Sequence, residues 1–114
     1  MASTLDTVTV DCADPRRLAE FWAASLAWSV DDADDDGAFV RPPERGSPGG
    51  SVAAKAIGLF FQKVPEPKTV KNRVHWDVRG QVDALEAHGA TRLWEQPRWV
   101  TLADPEGNEF CVFE

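Results

Sequence analysis

The local structural signals along this chain run twice through the same series, and that repetition restricts the fold more than any other feature. Residues 4–11 (TLDTVTVD) alternate and are rich in β-branched side chains, which marks a strand. Asp14-Pro15 then opens a helix, with Asp14 suited to the N-cap and Pro15 to the first helical position. Behind them Leu18, Phe21, Trp22 and Leu26 recur at helical spacing. Short strand signals at 28–30 and 38–40 flank an acidic turn, and 57–64 (IGLFFQKV) is a strongly apolar strand. Residues 65–72 (PEPKTVKN) have the composition of a connector. The series then begins again. Residues 73–79 (RVHWDVR) form a strand, and 81–88 (QVDALEAH) a helix with Val82 and Leu85 inward and Gly89 as its C-terminal cap. Strands follow at 91–95, 99–103 and 109–113, the last two joined by a type I turn at Asp104-Pro105-Glu106-Gly107. The order βαβββ, connector, βαβββ predicts an α+β fold: one domain over 1–114, built from modules at 4–64 and 73–114. One module alone leaves a sheet half covered; two can cup a shared interior.

Composition narrows the class of partner. A chain of 114 residues with 43% hydrophobic and 27% charged residues fits one ordinary globular domain. Five Trp and six Phe without a Tyr favour large buried areas and a ligand cavity. A net charge of −7 argues against nucleic acid or an anionic membrane as partner. The start MASTLDTVTVD lacks the basic, then apolar, pattern of a signal peptide, and no apolar run approaches the ~20 residues of a membrane span. Cys12 and Cys111 lack metal-type spacing and read as reduced thiols of a cytoplasmic protein. Residues 41–56 (RPPERGSPGGSVAAKA) read as a mobile Pro/Gly/Ser-rich loop.

Two longer segments carry a likeness. VPEPKTVKNRVHWDV (64–78), followed by WVTLADPEGNEFCVF (99–113), resembles the glyoxalase-like branch of the vicinal-oxygen-chelate superfamily, which includes glyoxalase I, extradiol dioxygenases and bleomycin-resistance proteins. DCADPRRLAEFW (11–22) is similar to that family's first strand and helix, so the likeness extends over nearly the whole chain. The resemblance implies paired βαβββ modules forming a cup-shaped mixed sheet around a cavity, and a homodimer. Metal-using members carry ligands on the first and last strands of each module. Carried over by position, these fall at Thr7, at Phe60 or Gln62, at His75 and at Cys111. Thr is a weak ligand and Gln a neutral one, and the set lacks the carboxylate that holds such metals. Glu109 shares a face with Cys111 and would substitute only at a different depth. The expectation is therefore no cofactor and no assigned metal ligand, with a divalent metal as the alternative.

The remaining candidates are weighed residue by residue. His75, Asp77 and Arg79 face one way on their strand, and Val74, Trp76 and Val78 the other. That suits a strand between a wet cavity and a core, with His75 as a base or hydrogen-bonding group and Asp77 to tune it. Trp99 is a candidate wall for a flat ligand, whereas Trp22 suits the core equally well. Residues 31–37 (DDADDDG) contain the front half of a calcium loop, but counted from Asp32 the twelfth position is Pro43 rather than Glu, so a solvated turn is expected. Lys63, Lys68, Lys71 and Arg73 read as a hydrated connector. The expected function is binding of a small organic molecule in the cup without the usual catalytic metal. Its candidate contacts are Thr7, Phe60, Gln62, His75, Asp77, Trp99, Glu109 and Cys111. The alternative is a glyoxalase- or lyase-type enzyme with His75 as general base.

Overall fold

A computed structural model describes residues 2–44 and 57–114; most of the loop expected at 41–56 lies outside the described residues. The chain divides into two compact units, Met1–Pro65 and Glu66–Glu114. In the first, the elements are β1 (Thr7–Cys12), α1 (Pro15–Leu26), β2 (Ser29–Asp31), β3 (Gly37–Arg41) and β4 (Gly58–Lys63). They form a four-stranded mixed sheet in the order β1-β4-β3-β2, with β1 and β4 parallel and the other pairs antiparallel. Asp14 caps α1 by accepting the Arg17 N–H at 3.3 Å, and Pro15 follows at the first helical position, where its missing donor costs nothing. The helix ends in a left-handed Ala27, after which the Trp28 N–H closes onto the Ala23 carbonyl at 2.9 Å. Its apolar stripe lies against β3 and β4. Leu18, Phe21 and Trp22 are buried, as are Ala38, Val40, Leu59 and Phe61 on the sheet. Trp22 is a core residue, edge-on to Phe21 at 4.9 Å.

The opposite face of this sheet carries Thr7, Thr9, Asp11, Phe39, Phe60 and Gln62, because directly paired residues share a face. Two glycines make room for its rings. A Cβ at Gly58 would stand 2.3 Å from the Phe39 ring, and one at Gly37 2.6 Å from the Phe60 ring. The Arg41 guanidinium covers the Phe39 ring at 5.2 Å and pairs with Asp31 at 2.7 Å.

In the second unit the elements are β5 (Asp77–Arg79), α2 (Val82–His88), β6 (Thr91–Glu95), β7 (Val100–Ala103) and β8 (Glu109–Phe113). The sheet order β5-β8-β7-β6 repeats that of the first unit, again with the first and last strands parallel. Each module thus carries its own four-stranded mixed sheet and one helix, an α+β architecture with no closed barrel among the described residues. Val78, Leu102, Phe110 and Val112 alternate onto a buried face, and α2 buries Val82 and Leu85. Gly89 ends α2 at φ 124°. The turn from β7 to β8 is tied by the Asp104 carboxylate, which accepts the N–H groups of Glu106 (2.9 Å) and Asn108 (3.0 Å), while Gly107 takes φ 86°.

One strand is shorter than its pattern suggests. Residues 73–79 alternate as a strand, yet pairing begins at Asp77, and Val74 is 82% exposed instead of packed. The register that pairs Asp77 with Cys111 sets Glu109, the first residue of β8, opposite His75, so residues 73–74 lie beyond the end of the partner strand and have no ladder to join. The pairing reaches back to the Trp76 carbonyl, which accepts the Cys111 N–H at 3.1 Å.

Candidate functional site

The face of the second sheet opposite its core gathers most of the chemistry-bearing candidates. Parallel pairing sets Asp77 beside Cys111, and antiparallel pairing sets Thr101 on the other side of Cys111. His75 precedes Asp77 by two residues and joins the same group. The ligating atoms of His75, Asp77 and Cys111 all lie within 4.8 Å of one another. The Cys111 thiol is free and only 8% exposed, with Thr101 Oγ1 at 3.5 Å from its sulfur, whereas His75 and Asp77 reach solvent. An imidazole, a carboxylate and a thiol in one small volume can shuttle a proton, orient a polar ligand or hold a divalent ion. The sequence reading named all three residues. What it lacked was their convergence, which supplies from Asp77 the carboxylate missing from the carried-over ligand set.

Beside this trio the face turns aromatic. Trp99, 36% exposed, leans on Phe113 with ring centroids 5.9 Å apart, and the Arg79 guanidinium lies over Phe113 at 5.8 Å. Trp94, 49% exposed, stands opposite Thr101. It was absent from the sequence-derived set because a register shift between Arg92 and Trp94 moves it relative to simple alternation. Thr101 and Phe113 were absent as well, although the period-2 pattern counted from Cys111 and Trp99 would have found both.

Glu109 lies on the same face, but its carboxylate is engaged. It accepts the Asn72 N–H at 3.0 Å and pairs with Lys68 at 3.1 Å, tying the preceding connector to the head of β8. Burial works against its ionisation most strongly. The Asn72 and Glu109 N–H groups and the Lys68 ammonium together outweigh that effect and hold it below the usual carboxylate range. Lys68 therefore has a structural partner and is not merely hydrated.

Thr7, Phe60 and Gln62 belong to the first sheet. There Thr7 pairs with Gly58, Phe60 with Thr9 and Gln62 with Asp11. Thr7 and Gln62 share a face but are separated by about 13 Å of strand, at ~3.3 Å per residue. They do not converge within their unit, and the Thr7 hydroxyl donates to the Asp6 carboxylate at 3.1 Å. The acidic turn is likewise accounted for. Asp34 accepts the N–H groups of Asp36 (2.8 Å) and Gly37 (2.9 Å), and these bonds hold its carboxyl below its ordinary value.

Comparison with known proteins bears on the whole chain. The family model described as a glyoxalase-like domain matches residues 7–113. No curated protein matches the chain in sequence. Among solved structures, the fosfomycin resistance protein FosX from Mesorhizobium loti superimposes with a TM-score of 0.68 at 13% identity, covering 99% of this chain and 92% of that one. The E126Q mutant of FosX from Listeria monocytogenes, complexed with Mn(II) and 1S,2S-dihydroxypropylphosphonic acid, gives 0.69 at 15%, covering 99% and 90%. A glyoxalase/bleomycin resistance protein from Albidiferax ferrireducens T118 gives 0.61 at 23%, covering 97% and 98%. At such identities the likeness is one of fold.

Proposed function

The chain belongs to the glyoxalase-like domain family of the vicinal-oxygen-chelate superfamily, and from that premise we propose that it binds a small organic molecule on the open face of its second sheet. The observation that carries this reading is the convergence of His75, Asp77 and Cys111 within 4.8 Å beside exposed Trp94 and Trp99. Polar groups that converge next to flat apolar walls are what a small-molecule site requires: the rings supply area and the polar groups fix orientation. His75 and Asp77 would hydrogen-bond the ligand, Trp99 would cover its apolar part, and Arg79 would meet any anionic substituent. The two modules acting as one domain, and a homodimer of that domain, belong to the same proposal.

A neighbour of this fold is complexed with a divalent ion, Mn(II). The donors present fit such an ion, since His75, Asp77 and Cys111 offer three different ligand atoms to one point. Bound there, it would supply Lewis-acid polarisation of a ligand oxygen. One observation also favours a second reading, lyase- or glyoxalase-type catalysis: Asp77 lies within 4.8 Å of His75, and rotation of these two exposed side chains would let the carboxylate orient the imidazole as a general base.

Screening small organic molecules by thermal shift tests the binding reading. A ligand at 100 times its Kd stabilises the folded chain by about 2.7 kcal/mol and raises Tm. The expected outcome is that His75→Ala weakens such hits by about tenfold, the loss of one good hydrogen bond. Hits that shift wild type and His75→Ala equally would remove His75 from the site.

A further inference from the structure

We propose that Cys111 is a nucleophilic thiol, with His75 as its base, and that it captures α,β-unsaturated carbonyl compounds by reversible covalent addition. This role rests on the reading of the open face of the second sheet as the binding face, a reading that leaves the thiol without a task.

Cys111 is a free thiol on β8, and the ligating atoms of His75 and Asp77 lie within 4.8 Å of its sulfur. A thiol beside an imidazole, with a carboxylate beside that imidazole, is the arrangement that activates cysteine nucleophiles: the base takes the proton and the third group orients the base. Rotation of the exposed His75 side chain closes the remaining distance, and such contacts are commonly long in unliganded sites. From the β7 side Thr101 Oγ1, 3.5 Å from the sulfur, can donate to the thiolate. Cys111 itself is 8% exposed, so an electrophile reaches it past His75 and Asp77, which meet solvent.

The neighbouring rings fix the class of electrophile. Phe113 stands two residues beyond Cys111 on β8 and Trp99 leans on it at 5.9 Å, so the aromatic row lies about 6.6 Å from the thiol row. A planar ligand resting on Trp99 holds a conjugated side arm over the sulfur. In the addition, the thiol proton passes to the His75 imidazole, the sulfur electron pair forms the C–S bond at the β-carbon, and the C=C π pair moves to the carbonyl oxygen as an enolate. The imidazolium then returns the proton to the α-carbon. Thiol and alkene become one thioether, with no oxidant, reductant or leaving group, and the reverse sequence releases the molecule. Asp77 is a positioning residue that steadies the imidazolium between the two transfers.

Cys12 supplies an internal reference, since it is 5% exposed and its thiol donates to the Gln62 carbonyl at 3.6 Å. The full chain, freed of metal with chelator so that no ion competes for the thiol, is treated at neutral pH with iodoacetamide and, separately, with benzylideneacetone. Borohydride fixes the enone adduct, and mass spectrometry follows the label on each cysteine-bearing peptide. Iodoacetamide is expected to label Cys111 about a hundredfold faster than Cys12, the lower end of what a positioned base contributes. His75→Ala should abolish that excess and leave Cys12 unchanged, and added imidazole should restore part of it. Asp77→Asn should reduce it, and Asp77→Glu should recover it. Benzylideneacetone should add once, at Cys111, and Trp99→Ala should slow that addition about fivefold, the scale of one aromatic contact. Equal labelling of the two cysteines, an excess that persists in His75→Ala, or the absence of an enone adduct overturns the proposal. Organic molecules without an electrophilic carbon that still raise Tm in a His75-dependent way would then show that the binding reading stands while the nucleophile falls. If those shifts vanish too, both readings fall.

Discussion

Glu109 joins β8 to the connector before β5 through two contacts that depend on its charge. Its folded pKa is lowered, so its contribution to stability is present above the unfolded carboxylate pKa and is lost as pH falls through the lower folded value. Glu109→Gln keeps an acceptor for the Asn72 N–H but loses the Lys68 pair. We expect it to cost about 1 kcal/mol at neutral pH, the scale of one charge-assisted bond to a partly solvated lysine. Urea unfolding over a pH series would show it: the variant's stability should fall less than wild type's on acidification, and parallel curves would refute the assignment. Glu109 also shows where reading single residues stops. Its place on the Cys111 face is legible from alternation, but its engagement by a backbone N–H thirty-odd residues upstream depends on how the connector lies. Trp94 was hidden for a similar reason, since a bulge is a property of paired strands and leaves no mark in the five residues TRLWE.

Among the elements, α1 was legible in full because its cap, its first-turn proline and its apolar stripe are all local signals. The strand pattern at 73–79 was legible only in part: alternation marks which residues can pair, and the partner strand decides which of them do. The first sheet offers a test of packing between strands. Gly58 and Phe39 are coupled, because the ring occupies the space a Cβ would need. Gly58→Ala should therefore displace the Phe39 ring and destabilise the protein by about 1 kcal/mol, the low end for overpacking, because the ring that must give way is only half-buried. In a Phe39→Ala background the same change should cost almost nothing. Chemical denaturation of the four proteins in this cycle measures the coupling directly. Additive effects would show that the ring does not occupy that space.

For the molecule as a whole, the twofold series of elements was the most informative feature of the chain, and both units carry the same strand order. What the series does not contain is the pairing of first strand with last, and it is this pairing that sets Asp77 beside Cys111. Acidic composition belongs to this scale as well. With a net charge of −7 two copies repel one another and salt screens that repulsion, so a dimer of the kind proposed should survive high salt. Sedimentation at low and high ionic strength is expected to give a dimer in both; a monomer at micromolar concentration would end the dimer proposal. The parallel pairing also sets how far the chain must close. Hairpins such as β7–β8 close over a few residues, whereas β5 meets β8 only after a long loop has been brought round, which is the slower kind of step. Cys111 and Thr101 can therefore meet through a short loop, whereas bringing Asp77 to them carries the larger closure cost, so a chain without that closure would hold the thiol and not the carboxylate beside it.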